Sequence, residues 1–555
     1  MKELTKAQKG RIAIRTFKTT ADALALRGYY KPSGRSGQTL EESLKALSPE
    51  IYGTMNDSRI IELKGLEYIV DRLPRGIEEC SRIVLTSEEN FAGTSFEKII
   101  PLKRRRVSFR VSEKEMSFII TRGMSEIYDI LTHLTFLNIE AHKIKNQMKD
   151  ETGRLTPEWE LLEKNVKTDE ITGPELDRAL WNLSIILGRT FNETWEAYTN
   201  LNNTRKNEKA NNGLFKIIYN LGYRALKDAT VREDMLMISF TPSLRDLIGR
   251  HKYGRSWAEM VKKTLCSLGL IDRPIHVISA NMHSVINSLY SYAALNSKGI
   301  GKEENLYDFI TETRAHRDEV KKFALNHGLT ELLDTSGFHI DCQIIDLEKA
   351  AGIPIHPDIK INKNGSNPVI IVMDYAFGAQ AYETMEELLS PVHIEDKTIY
   401  LNYQSISIMG KAGILPGKKG DIMLASAHVF EGNPHNYIVN NDLTKDDFDE
   451  SIPVYTGPIV TVLGTSLQNK DVLERFQTTS WKAIGLEMEG GHYHRAINAS
   501  IIRGHIPADT KVRYAYYASD NPLISGQTLS SGSLGEEGIK PTYMITKVIL
   551  EKIFA

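Results

Sequence analysis

The chain has 555 residues, of which 41% are hydrophobic and 25% charged, with a net charge of −2, which is room for roughly two to four domains of ordinary globular composition. The near-neutral balance supplies no electrostatic attraction for nucleic acid or an anionic membrane, and no apolar run reaches the ~18 residues of a membrane helix. Three cysteines, Cys80, Cys266 and Cys342, are far apart and odd in number, so they form neither a disulfide framework nor zinc spacing. A reducing, cytoplasmic setting is expected.

Residues 1–265 read as a mainly helical N-terminal region of unassigned role. The start, MKELTKAQKGRIAIRTFKTT, is charged and has no h-region, which argues against a Sec signal. Gly34 to Gly37 reads as loop, and a helix is expected from Ser43 to Leu47. Between Lys98 and Val111 two short apolar runs flank Lys103-Arg104-Arg105-Arg106. That run is either an anion site or, the preferred reading, a solvated turn between strands. Ile127, Ile130, Leu131 and Leu134 follow the i, i+3, i+4, i+7 spacing of an amphipathic helix. A second such helix starts near Pro174-Glu175 and carries Trp181, Ile185 and Leu187. Asn202 to Asn212 is polar and reads as loop. Arg250, His251, Lys252 and Arg255 form a basic cluster best read as a solvated helix end.

From residue 270 the pattern changes. Ile275-His276-Val277-Ile278 and Pro368 to Met373 are short apolar runs of the kind buried in parallel sheets. A helix is expected over Ala379 to Leu389. Strands are expected at Ile399–Met409, Asp421–Ala425, Ile459–Leu463, Ala483–Leu486 and Val512–Ala518, and a closing helix at Tyr543–Ile553. Alternating strands and helices predict an α/β layer fold with a largely parallel sheet over residues 270–555.

Two motifs in this half carry chemistry. Gly485-Leu486-Glu487-Met488-Glu489-Gly490-Gly491 puts two carboxylates at a strand-to-helix junction. Ala518-Ser519-Asp520-Asn521-Pro522-Leu523 ends a β-rich run with an acid beside a turn signal. Two separated carboxylates suit a reaction in which one acid holds a sugar and the other protonates a leaving group. The alternatives are an exposed helix start for Glu487–Glu489 and an Asx-turn for Asp520. His492 and His494, two residues apart, face different ways on a helix, and no metal site is expected.

In order along the chain, Met373-Asp374-Tyr375-Ala376-Phe377-Gly378-Ala379-Gln380-Ala381, Ile408-Met409-Gly410-Lys411-Ala412-Gly413 with Gly420-Asp421-Ile422, Glu487-Met488-Glu489 and Ser519-Asp520 resemble segments of the nucleoside phosphorylase and nucleosidase superfamily. Ser519-Asp520-Asn521-Pro522-Leu523, Ala427-His428-Val429-Phe430 and Thr456-Gly457 leading into Val460-Thr461 are most similar to AMP nucleosidase. The likeness covers about a third of the chain closely and about half loosely. It implies a nucleoside-phosphorylase-like mixed sheet flanked by helices. It also implies a homo-oligomer, no cofactor, and a small-molecule purine nucleotide or nucleoside as substrate.

The roles that follow are specific. Glu489 accepts hydrogen bonds from the ribose diol, bonds that gain strength from its charge. Glu487 reaches a second hydroxyl or an arginine, and Met488 lines the sugar. Asp520, beside Ser519, protonates the purine at N7. Gly378 and Gly410 approach the phosphate or nucleophile. Ala376 replaces the first glycine of the usual G-x-G turn, which leaves Gly378 alone as a phosphate cradle. Lys411 stands where small or hydroxyl residues are usual, and either reaches a 5′-phosphate or caps a turn. Phe430 or Tyr375 stacks on the purine or belongs to the core. His283 reaches the sugar or nucleophile, or has a core or cap role. No arginine clamp for inorganic phosphate accompanies Gly378, which favours hydrolysis over phosphorolysis. A non-catalytic nucleotide-binding protein is the remaining alternative.

Overall fold

The computed structural model describes residues 3–87, 91, 93–104, 106–168, 171–204, 213–230, 235–300, 305–361, 367–524 and 535–555. Its contacts divide the chain into two units. The first comprises Met1–Arg250 with Ser466–Val472, the second His251–Thr465 with Leu473–Ala555.

The first unit begins with α1 (Lys6–Arg27) and β1 (Tyr29–Tyr30). Thr5 and Gln8 start α1 as a reciprocal capping box, and Gly28 ends it at φ 97°, a conformation that glycine adopts without strain. Then come α2 (Arg35–Leu47), α3 (Leu63–Val70), β2 (Arg82–Thr86), β3 (Glu97–Ile99), β4 (Val107–Ser112) and β5 (Glu115–Ile119). The long α4 (Gly123–Gln147) is followed by α5 (Pro157–Val166), α6 (Gly173–Leu187), α7 (Phe191–Thr204) and α8 (Gly213–Thr230). The last elements are β6 (Met237–Phe240) and α9 (Pro242–Leu247). The strands form one sheet in the order β1-β6-β2-β5-β4-β3, with β2 parallel to both β5 and β6.

The region is mainly helical as expected, and a six-stranded sheet lies within it. Other expectations change here. The helix expected from Ser43 starts already at Arg35, so Arg35, Ser36 and Gly37 are helical, not loop. Ile127, Ile130, Leu131 and Leu134 are buried in α4 as expected, but α4 is buried nearly all round. On α6 the inward residues are Ala179, Leu180, Leu183, Ile186 and Leu187, while Trp181 and Ile185 are exposed. The basic run is not a solvated turn. Arg105 lies outside the described residues, but Arg106 is fully buried against Asp129 of α4, Arg104 lies 3.3 Å from the same carboxylate, and Lys103 pairs with Asp71 at 3.0 Å. Paired acids inside the unit make burial of these cations tolerable. Of the expected loop Asn202–Asn212, residues 205–212 lie outside the described residues.

The second unit opens with α10 (Lys252–Ser267), β7 (Ile275–Ser279), α11 (Ser284–Leu295), α12 (Leu306–Thr313), α13 (Arg317–Leu325), β8 (Leu329–Leu332) and β9 (Cys342–Asp346). β10 (Val369–Met373) leads to α14 (Gln380–Leu389), a small hairpin of β11 (Val392–Ile394) and β12 (Lys397–Ile399), and the twelve-residue β13 (Tyr403–Ile414). β14 (Ile422–Phe430), β15 (Asn436–Ile438), β16 (Val454–Thr461) and α15 (Lys470–Thr478) follow. The chain closes with β17 (Gly485–Glu487), α16 (Gly490–Ile502), β18 (Lys511–Asp520) and α17 (Ile539–Phe554).

Ten strands make one mixed sheet, ordered β15-β14-β16-β17-β13-β7-β10-β9-β8, with β18 pairing β13 and β14. The long ladders β13·β18 and β14·β16 are parallel, whereas β9·β10, β8·β9, β14·β15, β13·β17 and β14·β18 are antiparallel. β7 and β10 are buried at every position, which is why they read as continuous apolar runs. Ile278, Ile370, Val372, Met409, Leu424 and Ala515 pack with α11, α13 and α17. Ser279, one residue on from Ile278, turns to the other face and meets Tyr493 of α16 at 3.3 Å. In the basic cluster near residue 250, Arg250, Lys252 and Arg255 are exposed, as expected of a solvated helix end, and two members approach acids of α14. His251 Nδ1 is 3.1 Å from Glu386, and Arg255 Nε is 3.6 Å from Glu387.

Candidate active site

The organising feature is a change of partner along one edge of β13. The β7 ladder ends at Ser279 opposite Ile408, and the β17 ladder covers Gly413 and Ile414. Between them, Met409 to Ala412 has no strand neighbour on that edge among the described residues. β18 lines the other edge throughout, from Ser405 to Gly413. Such a switch point, where one strand parts from its parallel neighbour, leaves a crevice in an α/β sheet.

The two acidic motifs meet at Gly413. Leu486 pairs with it on one side and Asp520 on the other. They are therefore two strand spacings apart, about 10 Å. A Cβ here would fit only tightly, 3.0 Å from the Leu486 side chain and 3.5 Å from Pro522. Asp520 is the last residue of β18 and is nearly buried. The Ser519 hydroxyl lies 2.5 Å from Asp520 Oδ1 and 3.2 Å from the Ala412 carbonyl. The Asx-turn belongs to the next residue: Asn521 Oδ1 accepts from Leu523 N–H at 3.0 Å. The amide of Asn521 also donates to the Leu415 and Gly417 carbonyls, which fixes the loop behind Asp520.

Glu487, Met488 and Glu489 divide their tasks differently from the sequence reading. Glu487 is buried, and its carboxylate is engaged by the protein. Oε1 accepts from the Thr461 hydroxyl at 2.6 Å, and Oε2 accepts from the backbone N–H groups of Glu489 and Gly490. His428 Nδ1 stands 3.5 Å from Oε1, too far for a full hydrogen bond. Burial pushes the Glu487 carboxyl up, but His428, Thr461 and the Gly490 N–H outweigh it and hold the group below its usual range. Glu487 thus ties the start of α16 to the end of β17. Met488 is buried. Glu489 is the N-cap residue of α16 and is partly exposed. One of its oxygens accepts the Gly378 N–H at 2.9 Å.

Gly378 has φ 56° and sits just before α14, so it makes a turn that favours glycine. Its amide faces Glu489. The Gly410 position faces the ring of Tyr375, 3.4 Å from where a Cβ would be. The Tyr375 hydroxyl reaches Asn281, whose side-chain oxygen also caps the start of α11 through Ser284 N–H at 2.7 Å. Lys411 is an exposed residue on the otherwise largely buried β13 and holds no ion pair among the described residues.

Two candidates pack against other elements. Phe430 is core: its ring packs edge-on to His492 at 5.0 Å and lies 2.9 Å from a Cβ position at Gly491. His283 stands just before α11, with Nδ1 3.4 Å from the hydroxyl of Tyr543 on α17. Residues without a role in the sequence reading take their place, namely Thr461 and His428 beneath Glu487, and Asn281 beside Tyr375. Gly490-Gly491 was the available signal, since two consecutive glycines at a helix start mark a turn pressed onto its neighbours. No group of three or more metal-ligating side chains occurs among the described residues, and no helix there is long and apolar enough to cross a membrane.

Comparison with known sequences gives one family, described as a family of unknown function (DUF6909), whose profile matches residues 38–315 and 303–555. The chain belongs to this DUF6909 family. No curated protein matches it. Solved structures similar to it include the 5′-methylthioadenosine/S-adenosyl homocysteine nucleosidase of Campylobacter jejuni, at 11% identity over 51% of this chain and 98% of that one, with a TM-score of 0.31. Futalosine hydrolase of Helicobacter pylori matches at 14% identity over 51% and 98%, with a TM-score of 0.29. Purine nucleoside phosphorylase of Toxoplasma gondii matches at 14% identity over 51% and 91%, with a TM-score of 0.28.

Proposed function

We propose that this DUF6909 protein hydrolyses the N-glycosidic bond of a purine nucleotide or nucleoside, in the manner of AMP nucleosidase, releasing free base and ribose or ribose 5-phosphate. The observation that carries this reading is the placement of Asp520 and the Glu487–Glu489 turn on opposite edges of β13, at its change of partner. A nucleoside bridging that distance would have its diol at Glu489 and its base at Asp520. Breaking the C1′–N9 bond leaves electron density on the purine, and a proton from Asp520 to N7 neutralises it. Water adds its hydroxyl to C1′, and its remaining proton restores the Asp520 carboxylic acid. Lys411, exposed and without an ion pair among the described residues, supplies a cation for a 5′-phosphate. The superfamily resemblance adds a homo-oligomer to this reading.

Free-base release from AMP, adenosine, inosine, guanosine and methylthioadenosine tests the assignment. AMP is expected to be cleaved in preference to adenosine, and Lys411→Met is expected to raise KM for AMP while leaving adenosine unchanged. The same assays with and without inorganic phosphate decide between hydrolysis and phosphorolysis. Strict dependence on phosphate sinks hydrolysis, and no release from any of the five sinks the enzyme assignment.

A further inference from the structure

Glu487 lies two residues from the carboxylate assigned to the sugar, yet it faces inward. Its donors are Thr461 of β16 and the backbone N–H groups of Glu489 and Gly490. The first amides of a helix have no partner within it, and a negative charge there is favourable. Glu489, whose N–H is held this way, in turn accepts the Gly378 N–H at 2.9 Å. The turn is also pressed onto the sheet beneath. A Cβ at Gly490 would stand 2.2 Å from the Tyr516 hydroxyl, 2.5 Å from the His428 ring and 3.1 Å from Glu487 Cδ. At Gly491 it would stand 2.4 Å from Thr461 Oγ1, the same atom that donates to Glu487.

We propose that Glu487 is a positioning residue that fixes Glu489 and, through it, the Gly378 loop, so that sugar recognition rests on Glu489 alone. This deepens the glycosidase reading and depends on it only for Glu489's role in binding the sugar. Thr461 holds one oxygen of Glu487 and the turn's amides hold the other. Any loosening of that carboxylate reaches Glu489 through its own N–H, and Gly378 through the Glu489 side chain. Gly378 lies at φ 56° in the turn leading into α14, so the loop between β10 and α14 moves with it.

The first test needs no substrate. Amide hydrogen exchange is followed in the full chain for segments 374–380 and 487–492, with 275–279 of β7 as control. Glu487→Gln is expected to speed exchange roughly tenfold in both segments, as befits one charged hydrogen bond, and to leave β7 unchanged. Acceleration confined to 487–492 overturns the coupling to Gly378. Thr461→Val, which removes one donor and keeps the side chain's shape, is expected to give the same pattern at smaller amplitude. It also serves should Glu487→Gln fold poorly.

The second test is a double-mutant cycle on kcat/KM for AMP against 2′-deoxy-AMP. Glu489→Gln and Glu487→Gln are each expected to reduce the preference for ribose, and the double variant is expected to be no worse than Glu489→Gln alone. Losses that multiply would make Glu487 an independent sugar contact and overturn the proposal, as would an unchanged ribose preference in Glu487→Gln. A wild-type protein that cleaves neither nucleotide defeats the AMP assignment, while the exchange experiment still decides the role of Glu487.

Discussion

Asp520 and Glu487 are both acids at the ends of strands, both nearly buried, and they are separated by what surrounds them. Glu487 accepts bonds from backbone and side-chain donors, which keeps it ionised and committed. Asp520 has its neighbour's hydroxyl at 2.5 Å and a loop behind it fixed by Asn521. Asp520→Asn keeps the size and removes the proton. It is expected to lower kcat for base release by about 10²–10⁴-fold, with KM changed little because Glu489 and Lys411 are intact. A variant with unimpaired kcat removes Asp520 from the mechanism. At this scale the sequence was legible where a residue type has one chemical use. The carboxylates drew notice because the proposed reaction, with its sugar diol and departing purine, needs acids. The division of labour within Glu487-Met488-Glu489 was not visible, because it depends on Thr461, 26 residues upstream, and on which face of a three-residue strand meets β16. The two readings of Phe430, core or purine stacking, stayed open for the same reason, since an aromatic at a strand end is core or ligand according to the helix that lands on it.

Among the elements, those with strong local signals were found. β10 was placed nearly residue for residue from its apolar run, and α17 from its helical periodicity. β13 was expected to end at Met409, but it runs on to Ile414 through Gly410 and Gly413. Glycines normally weaken a strand. These persist because β18 pairs one edge continuously, while the missing Cβ atoms admit Tyr375 and Leu486. β8 and β9 escaped notice because their short runs carry no distinctive alternation. In the first unit, the two-residue β1 depends on its pairing with β6, which β2 holds from the other side. β17 is the element on which the site depends most. Gly485 allows it to close on β13: a Cβ there would stand 2.7 Å from the Gly413 carbonyl and 2.5 Å from Met423 Sδ. Methionine can move aside, but the carbonyl cannot without parting β17 from β13. Gly485→Ala is therefore expected to cost about 1–3 kcal/mol in urea unfolding and to lose ribose preference beyond what stability explains. Gly53→Ala meets only an ordinary contact at 3.6 Å and provides the control. Equal stability of the two variants would show that β17 tolerates displacement.

Across the molecule, buried ionisable groups follow two patterns with opposite responses to acid. In the second unit, burial lowers His276 to about 4, with Arg513 adding to the effect, and burial with His428 lowers His494 to about 4. Both are hydrogen-bonded as neutral rings, His276 to Ser405 at 2.7 Å and His494 to the Tyr514 hydroxyl and the Ile438 carbonyl at 3.1 Å each. An unfolded histidine takes up its proton near 6.5, so between about 6.5 and 4 the unfolded chain binds more protons at these sites. Their contribution to stability is present at neutral pH and is lost as pH falls through that window. A shift of this size corresponds to roughly 3 kcal/mol per histidine. Burial acts the other way on two carboxyls, raising Glu140 of α4 and Glu383 of α14 each to about 7. These bind protons in the folded state first, so their contribution is greatest in acid and is lost as pH rises through about 7. The opposing signs mean that the total stability of the molecule against pH is a poor readout of either pattern. The difference between wild type and His276→Gln/His494→Gln isolates the histidines, because the carboxyl contributions cancel in it. Urea unfolding of both proteins from pH 7 to pH 4 is expected to show the wild-type advantage shrinking steadily on acidification, with most of the change between pH 6.5 and 4.5. A difference that stays flat across that range would mean the two rings gain protons in the folded protein as readily as in the unfolded chain, and the neutral hydrogen bonds to Ser405, Tyr514 and Ile438 would have to be redrawn with charged donors.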